Sequence, residues 1–146
     1  MMASTFLQRI RRDETGAMAI EFALIAPALF LMLFGVMQVG MAMQNYNAIR
    51  NVSADVARYA MVQYQTGNEL SPSQLRTFAE NHALGAPYML DQNRVRVEID
   101  DSVTQRVSGA TEMEIRVTYQ TDSLLEFADI SMPIVRYNRP LFLLDE

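Results

Sequence analysis

The sequence has no cysteine, no lysine and only one histidine, His82. Without cysteine there is no thiol nucleophile, no cysteine-built zinc site and no disulfide, so an exported domain must rely on its own core or on neighbours. A metal site would have to rest on carboxylates, and His82 has no evident nucleophile to activate; it reads as a packed or surface-facing helix histidine. All twelve basic residues are arginines, scattered without a basic stripe, and the formal charge is −5, which argues against nucleic acid as a partner. Glycine-rich phosphate loops, nucleophile elbows and kinase or deaminase patterns are missing as well. Nothing in the sequence points to an enzyme or a cofactor.

The weaker motifs have plain explanations. Asp91, Asp100 and Asp101 lack the alternating spacing and glycine of a calcium loop, so they read as solvated turn carboxylates. Asn51, Val52 and Ser53 match the glycosylation pattern, but in the middle of a helical stretch, where the match is chance. Five of the eleven methionines lie between Met18 and Met43, where apolar filling of a helix explains them better than a soft-metal path.

What is present is a long run without charge. Residues 23–43 hold no ionisable side chain, and Gln38 is the one obviously polar residue among them. At a helical rise of about 1.5 Å per residue the run covers ~30 Å, the hydrocarbon core of a bilayer. Arg9, Arg11 and Arg12 precede it, whereas Arg50 is the first charge beyond it, so the positive-inside rule places the N-terminus in the cytoplasm and the C-terminal part outside. The run is about twice as long as a signal-peptide core, and its one small-x-small site, Gly40 to Ala42, lies at its far end; this favours a retained helix over a cleaved signal. Pro27 removes a backbone donor and should kink the helix near its cytoplasmic end. Glu21 stands at the mouth of the run. A carboxylate in such a segment costs ~2.5–3.5 kcal/mol on insertion scales, so it either has a partner or snorkels to the interface.

Beyond Met43 the helical period continues with rising polarity. Ile49, Val52, Val56, Tyr59 and Ala60 recur at helical spacing with Arg50, Asp55 and Arg58 between them, predicting one helix from about Ala17 to about Tyr64. Thr66, Gly67 and Asn68 break it. A second helix is announced by Ser71 as N-cap, Pro72 at its first position and Gln74 closing a capping box; Leu75, Phe78, Ala79 and His82 form its inner face, and Gly85 and Pro87 end it. The period then becomes two over residues 94–100 and 112–119, predicting antiparallel strands with Val95, Val97, Ile99, Met113, Ile115, Val117 and Tyr119 towards a core. A third, edge strand is expected over residues 130–137, interrupted by Pro133. The apolar tail Leu141, Phe142, Leu143 and Leu144 would either complete the core or form an exposed partner patch. The sheet should pack on the amphipathic half of the long helix and on the second helix.

The expected organisation is thus a cytoplasmic leader (1–16), a transmembrane helix (17–43), its amphipathic continuation (44–66) and an extracytoplasmic α+β domain (67–146). Residues 9–43 resemble the TadE-like pseudopilins of the tight-adherence (Tad, Flp-type) pilus. The resemblance is carried by the basic leader, by Gly16 separated by four residues from Glu21 and Phe22, and by the apolar run starting at Ala23 through Pro27. Other type IV prepilins usually place phenylalanine directly after the cleavage glycine; Ala17 here favours the Tad branch. The resemblance implies a pilin-like fold and cleavage between Gly16 and Ala17 by a membrane prepilin peptidase. It also implies a non-catalytic role in pilus assembly, whether initiation, capping or scaffolding, with other pilins and pseudopilins, the inner-membrane assembly platform and membrane lipid as partners. Glu21 would become the fifth mature residue and could pair with the new ammonium group of a neighbouring subunit, setting axial register. The alternative is an unprocessed, single-pass binding module of the bacterial cell envelope.

Overall fold

Between Glu14 and Gln65 only Pro27 is unable to donate a helical hydrogen bond, and the chain forms a single helix through it. The computed structural model describes residues 14–132 and 134–144. Its elements are α1 (Glu14–Gln65, 52 residues), α2 (Pro72–Leu84), β1 (Val95–Asp100), β2 (Ala110–Gln120), a 3-10 turn (Glu126–Ala128) and β3 (Ile134–Leu144). Pro27 leaves the Ala23 carbonyl without its usual donor, a loss the helix absorbs without a break. Arg9, Arg11 and Arg12 lie outside the described residues, as does Pro133.

The two halves of α1 differ in what they touch. In its most apolar stretch nothing is buried against the rest of the protein. Further along, Ile49, Val52 and Val56 are completely buried and Ala57 and Ala60 nearly so, one stripe at helical spacing. The end of α1 is a glycine stop. Gly67 takes φ +75°, a left-handed conformation that costs glycine little, while Asn68 N–H donates to the Gln63 carbonyl (3.0 Å) and Gly67 N–H to the Tyr64 carbonyl (3.0 Å).

The start of α2 is the expected capping box: Gln74 N–H donates to Ser71 Oγ (3.3 Å) and Ser71 N–H to Gln74 Oε1 (2.9 Å). Leu75, Ala79 and Ala83 are its fully buried residues, with Phe78 and His82 half-buried beside them.

The three strands form an antiparallel sheet in the order β1-β2-β3, with Val97 opposite Val117 and Met113 opposite Leu141. The third strand departs from expectation: it begins at Ile134 and runs to Leu144, not over 130–137. Val135, Tyr137, Leu141 and Leu143 alternate onto the inner face and pair along the whole of β2, so the longer register buries more apolar surface. Pro140 is tolerated because β3 is an edge strand. The same alternation divides the tail. Leu141 (2 % exposed) and Leu143 (4 %) complete the core and are therefore no surface patch; only Phe142 and Leu144 face outwards.

The fold is α+β, with one core closed by three surfaces: Ile49, Val52 and Val56 from α1, Leu75 and Ala79 from α2, and the inner face of the sheet. On the outer sheet face Arg116 pairs with Glu98 (3.1 Å) and Glu114 (2.9 Å). Glu112 is the exception to the wet face. It is 3 % exposed, and its carboxylate accepts from the Arg106 backbone N–H (2.9 Å) and from the Arg106 guanidinium, which holds its carboxyl below the ordinary range.

Candidate functional site

Gly16 and Ala17 lie in the first turn and a half of α1, where helical N–H groups still lack intrahelical acceptors, so this is the least secured part of the rod. Glu21 follows one turn after Ala17 and is exposed; among the described residues its carboxylate makes no hydrogen bond or ion pair. Phe22 beside it is 63 % exposed, and Met18, Ile20, Leu24 and Ile25 are likewise uncovered. A lone carboxylate is thus set in a collar of apolar side chains, all projecting from a helix with nothing packed around it. Such a surface is unsuited to water and well suited to lipid or to other helices.

The other end of the apolar run is held by the outer domain. Gln38, the lone polar residue of the run, is 4 % exposed because the β2–β3 connection closes over it. Its Nε2 donates to Ser123 Oγ (3.2 Å), and its Oε1 accepts from Leu124 N–H (3.1 Å). Two turns on, Asn45 Nδ2 donates to Thr121 Oγ1 (3.3 Å), and Tyr46 meets Tyr137 edge-on at 5.9 Å between centroids. Gln38 and Asn45 are seven apart and so share one face of α1. The connection is thereby pinned along the helix, and Ser123 Oγ, in turn, donates to the Ile130 carbonyl to close the loop on itself.

A second cluster joins α1 to α2. Asp55 Oδ2 accepts from Tyr88 Oη (2.7 Å) and lies 3.0 Å from His82 Nε2. These hydrogen bonds, that from His82 foremost, hold the Asp55 carboxyl below its ordinary value, while burial and the neighbouring Asp55 push the Tyr88 phenol up to about 12. His82 lies parallel to Phe78 (5.6 Å, 9°) and edge-on to Tyr88 (5.4 Å, 71°), and Phe78 stacks on Tyr59 (3.8 Å). The histidine is thus part of an aromatic stack clamped by one carboxylate, an arrangement that packs α2 onto α1. Among the described residues no group of three or more histidines, cysteines and acids could hold a metal.

Of the residues singled out in the sequence, the structure keeps Gly16, Ala17, Glu21, Phe22 and Pro27 together on the bare end of α1. The leader arginines fall outside the described residues, and Leu141 and Leu143 belong to the core. Asp55 and Gln38 are the additions. In the sequence Asp55 reads as one more solvated charge on an amphipathic helix; Gln38 carries a signal, a polar side chain alone in a membrane-length run, but not the identity of its partner.

A family model described as TadE-like protein matches residues 16–58, which covers the bare end of α1, the pinned stretch and most of the amphipathic half. No curated protein and no solved structure matches the chain significantly.

Proposed function

We propose that this chain, TadE-like over residues 16–58, is a processed minor pseudopilin that takes part in assembling a Tad (Flp-type) pilus and has no catalytic activity of its own. Its α1 anchors it in the bacterial inner membrane, N-terminus in the cytoplasm and α+β domain outside. The TadE-like match supports involvement in a Tad pilus, and α1 is the one helix among the described residues long and apolar enough to cross a membrane.

The observation that carries the finer reading is Glu21: exposed, without a partner among the described residues, and one turn beyond the Gly16–Ala17 bond. Hydrolysis of that bond by a prepilin peptidase releases an α-amino group on Ala17, which is largely protonated near neutral pH. Within one subunit it sits at the helix end, where the macrodipole disfavours a positive charge and favours a carboxylate. A neighbouring subunit's Glu21 satisfies it better, and the pair neutralises two charges in apolar surroundings while setting how far one helix is displaced along the next. Other pilins and pseudopilins, the peptidase and the assembly platform are the partners this surface serves.

Because Gly16 and Ala17 are helical here, the peptidase must unwind the first turn, a small cost at a terminus. Mass-spectrometric reading of the N-terminus from membranes is the test. A mature chain beginning at Ala17 is expected; one beginning at Met1 or at Met43 would overturn processing. In a Tad-competent host, Glu21→Ala is expected to leave the cut and membrane insertion intact while abolishing incorporation into the pilus.

A further inference from the structure

The β2–β3 connection carries a feature that assembly through α1 does not use. Phe127, on the 3-10 turn, is 73 % exposed, the most exposed phenylalanine among the described residues, and Ile130 close by is 45 % exposed. The turn nevertheless lies against the apolar half of α1. The Phe127 ring stands edge-on to Phe34 of α1 (6.3 Å between centroids, 78°), and Phe34 in turn stacks on Phe30 (6.3 Å). With Pro27 and Leu31 these rings line an almost wholly apolar groove between the turn and the membrane-length half of α1.

Helix arithmetic locates this groove. A hydrocarbon layer of about 30 Å takes roughly 20 residues of helix, so a span that begins anywhere from Ala17 to Glu21 ends between Val36 and Gly40. Phe34 lies two to six residues before that boundary, roughly 3–9 Å inside it, and its side chain leans further towards the helix N-terminus. Gln38 falls at the boundary itself, with both ends of its amide already bonded by the connection. The turn is two-sided in the same sense. Glu126, Asp129 and Ile130 line a different groove, with Arg94 and Asp122, while Phe127 lines the apolar one.

We infer that this turn is a second membrane contact: Phe127 inserts into the acyl chains of the leaflet from which α1 emerges. The partner is lipid hydrocarbon, identified by the continuity of the Phe127 surface with the lipid-facing surface of α1 and by its depth along the helix. The outer domain then rests on the bilayer instead of standing off it on a rod. One face of the domain is held towards the membrane, and moving the subunit into a filament requires lifting Phe127 out of lipid together with α1.

The inference rests on α1 spanning the membrane, and the test separates the two. The chain has no tryptophan, so a single introduced indole reports one position. Full-length Phe127→Trp, Met32→Trp and Met89→Trp proteins are reconstituted at high dilution in phosphatidylcholine vesicles, with and without bromine near the top of the acyl chains. Met32 is 70 % exposed on the apolar run and Met89 is 77 % exposed on the outer domain, so none of the three changes disturbs a packed core. The expected result is blue-shifted emission at 127 that loses most of its intensity in brominated vesicles and resists aqueous iodide, with 89 showing the opposite. Iodide quenching at 127 without bromolipid quenching overturns the inference if 32 is still quenched by bromolipid; if 32 also fails, the spanning helix itself is overturned. Shielding at 127 that disappears on further dilution into lipid identifies a second copy as the occupant and likewise overturns the lipid contact.

Discussion

Asp55 and Gln38 show how single polar groups secure this molecule. Asp55 has a lowered carboxyl pKa because its charged form receives hydrogen bonds from His82 and Tyr88. A depressed folded value means its stabilising contribution is complete above the unfolded pKa of about 4 and is lost as pH falls through the folded value. Denaturant midpoints measured from pH 6 downwards should therefore drop more steeply for the native chain than for Asp55→Asn, with the two curves converging in acid. The Tyr88 phenol is shifted the other way, to about 12, so its contribution holds below the ordinary tyrosine value of 10.0 and fades as the pH rises towards 12. Gln38→Leu makes the apolar run more apolar but leaves Leu124 N–H and Ser123 Oγ without their helix partner. It should loosen the outer domain by about 1–3 kcal/mol without loss of membrane insertion, which hydrogen exchange at the Leu124 amide would report.

The elements differ in how local their determinants are. The start of α2 depends on four adjacent residues, and Ser71→Ala should cost about 1 kcal/mol in thermal or denaturant unfolding of the outer domain, since it removes the acceptor for Gln74 N–H. For β3 the determinant is the alternation. Leu141→Ala empties a site 2 % exposed between sheet and helix and should destabilise by about 2–5 kcal/mol, whereas Leu144→Ala, at 70 % exposure on the other face, should stay within about 0.5 kcal/mol. A comparable effect of the two substitutions on unfolding would contradict the register. The capping box is legible in the order of residues alone, as are the alternating cores of β1 and β2. Where β3 begins is not, because Ile130, Ile134 and Val135 are all apolar, and only pairing against the full length of β2 selects among them.

At the scale of the molecule, α1 joins two regimes that meet at Gln38. One half meets the rest of the chain only at the Phe127 turn, among the described residues, and its most apolar stretch buries nothing; the other is the floor of a small core shared with α2 and the sheet. If the leader is removed, three arginines and two acids go with it, and the formal charge changes from −5 to −6. Isoelectric focusing of the membrane-extracted chain should then show an acidic shift on expression with a prepilin peptidase, and no shift in a Gly16 variant that blocks the cut. The surface of the outer domain that meets the apolar half of α1 is formed by the connection that Gln38 and Asn45 hold, so the apolar helix and the domain are set against each other by contacts and not only by the continuity of the helix.

By itself the sequence determined what is decided within a few residues: the length of the uncharged run, the helix stop at Gly67, the Ser71 cap, the two alternating strands, and the Gly16 to Phe22 signature with its unanswered Glu21. Each follows from backbone chemistry or periodicity that neighbours in the chain carry alone. Tertiary structure decided the partners of Gln38, 85 and 86 residues away, as well as the clamp of Asp55 by His82 and Tyr88, the division of the Leu141 to Leu144 tail into core and surface, and the place of Phe127 beside Phe34. These depend on which surfaces the fold brings together, and a local pattern does not specify its partner across that distance.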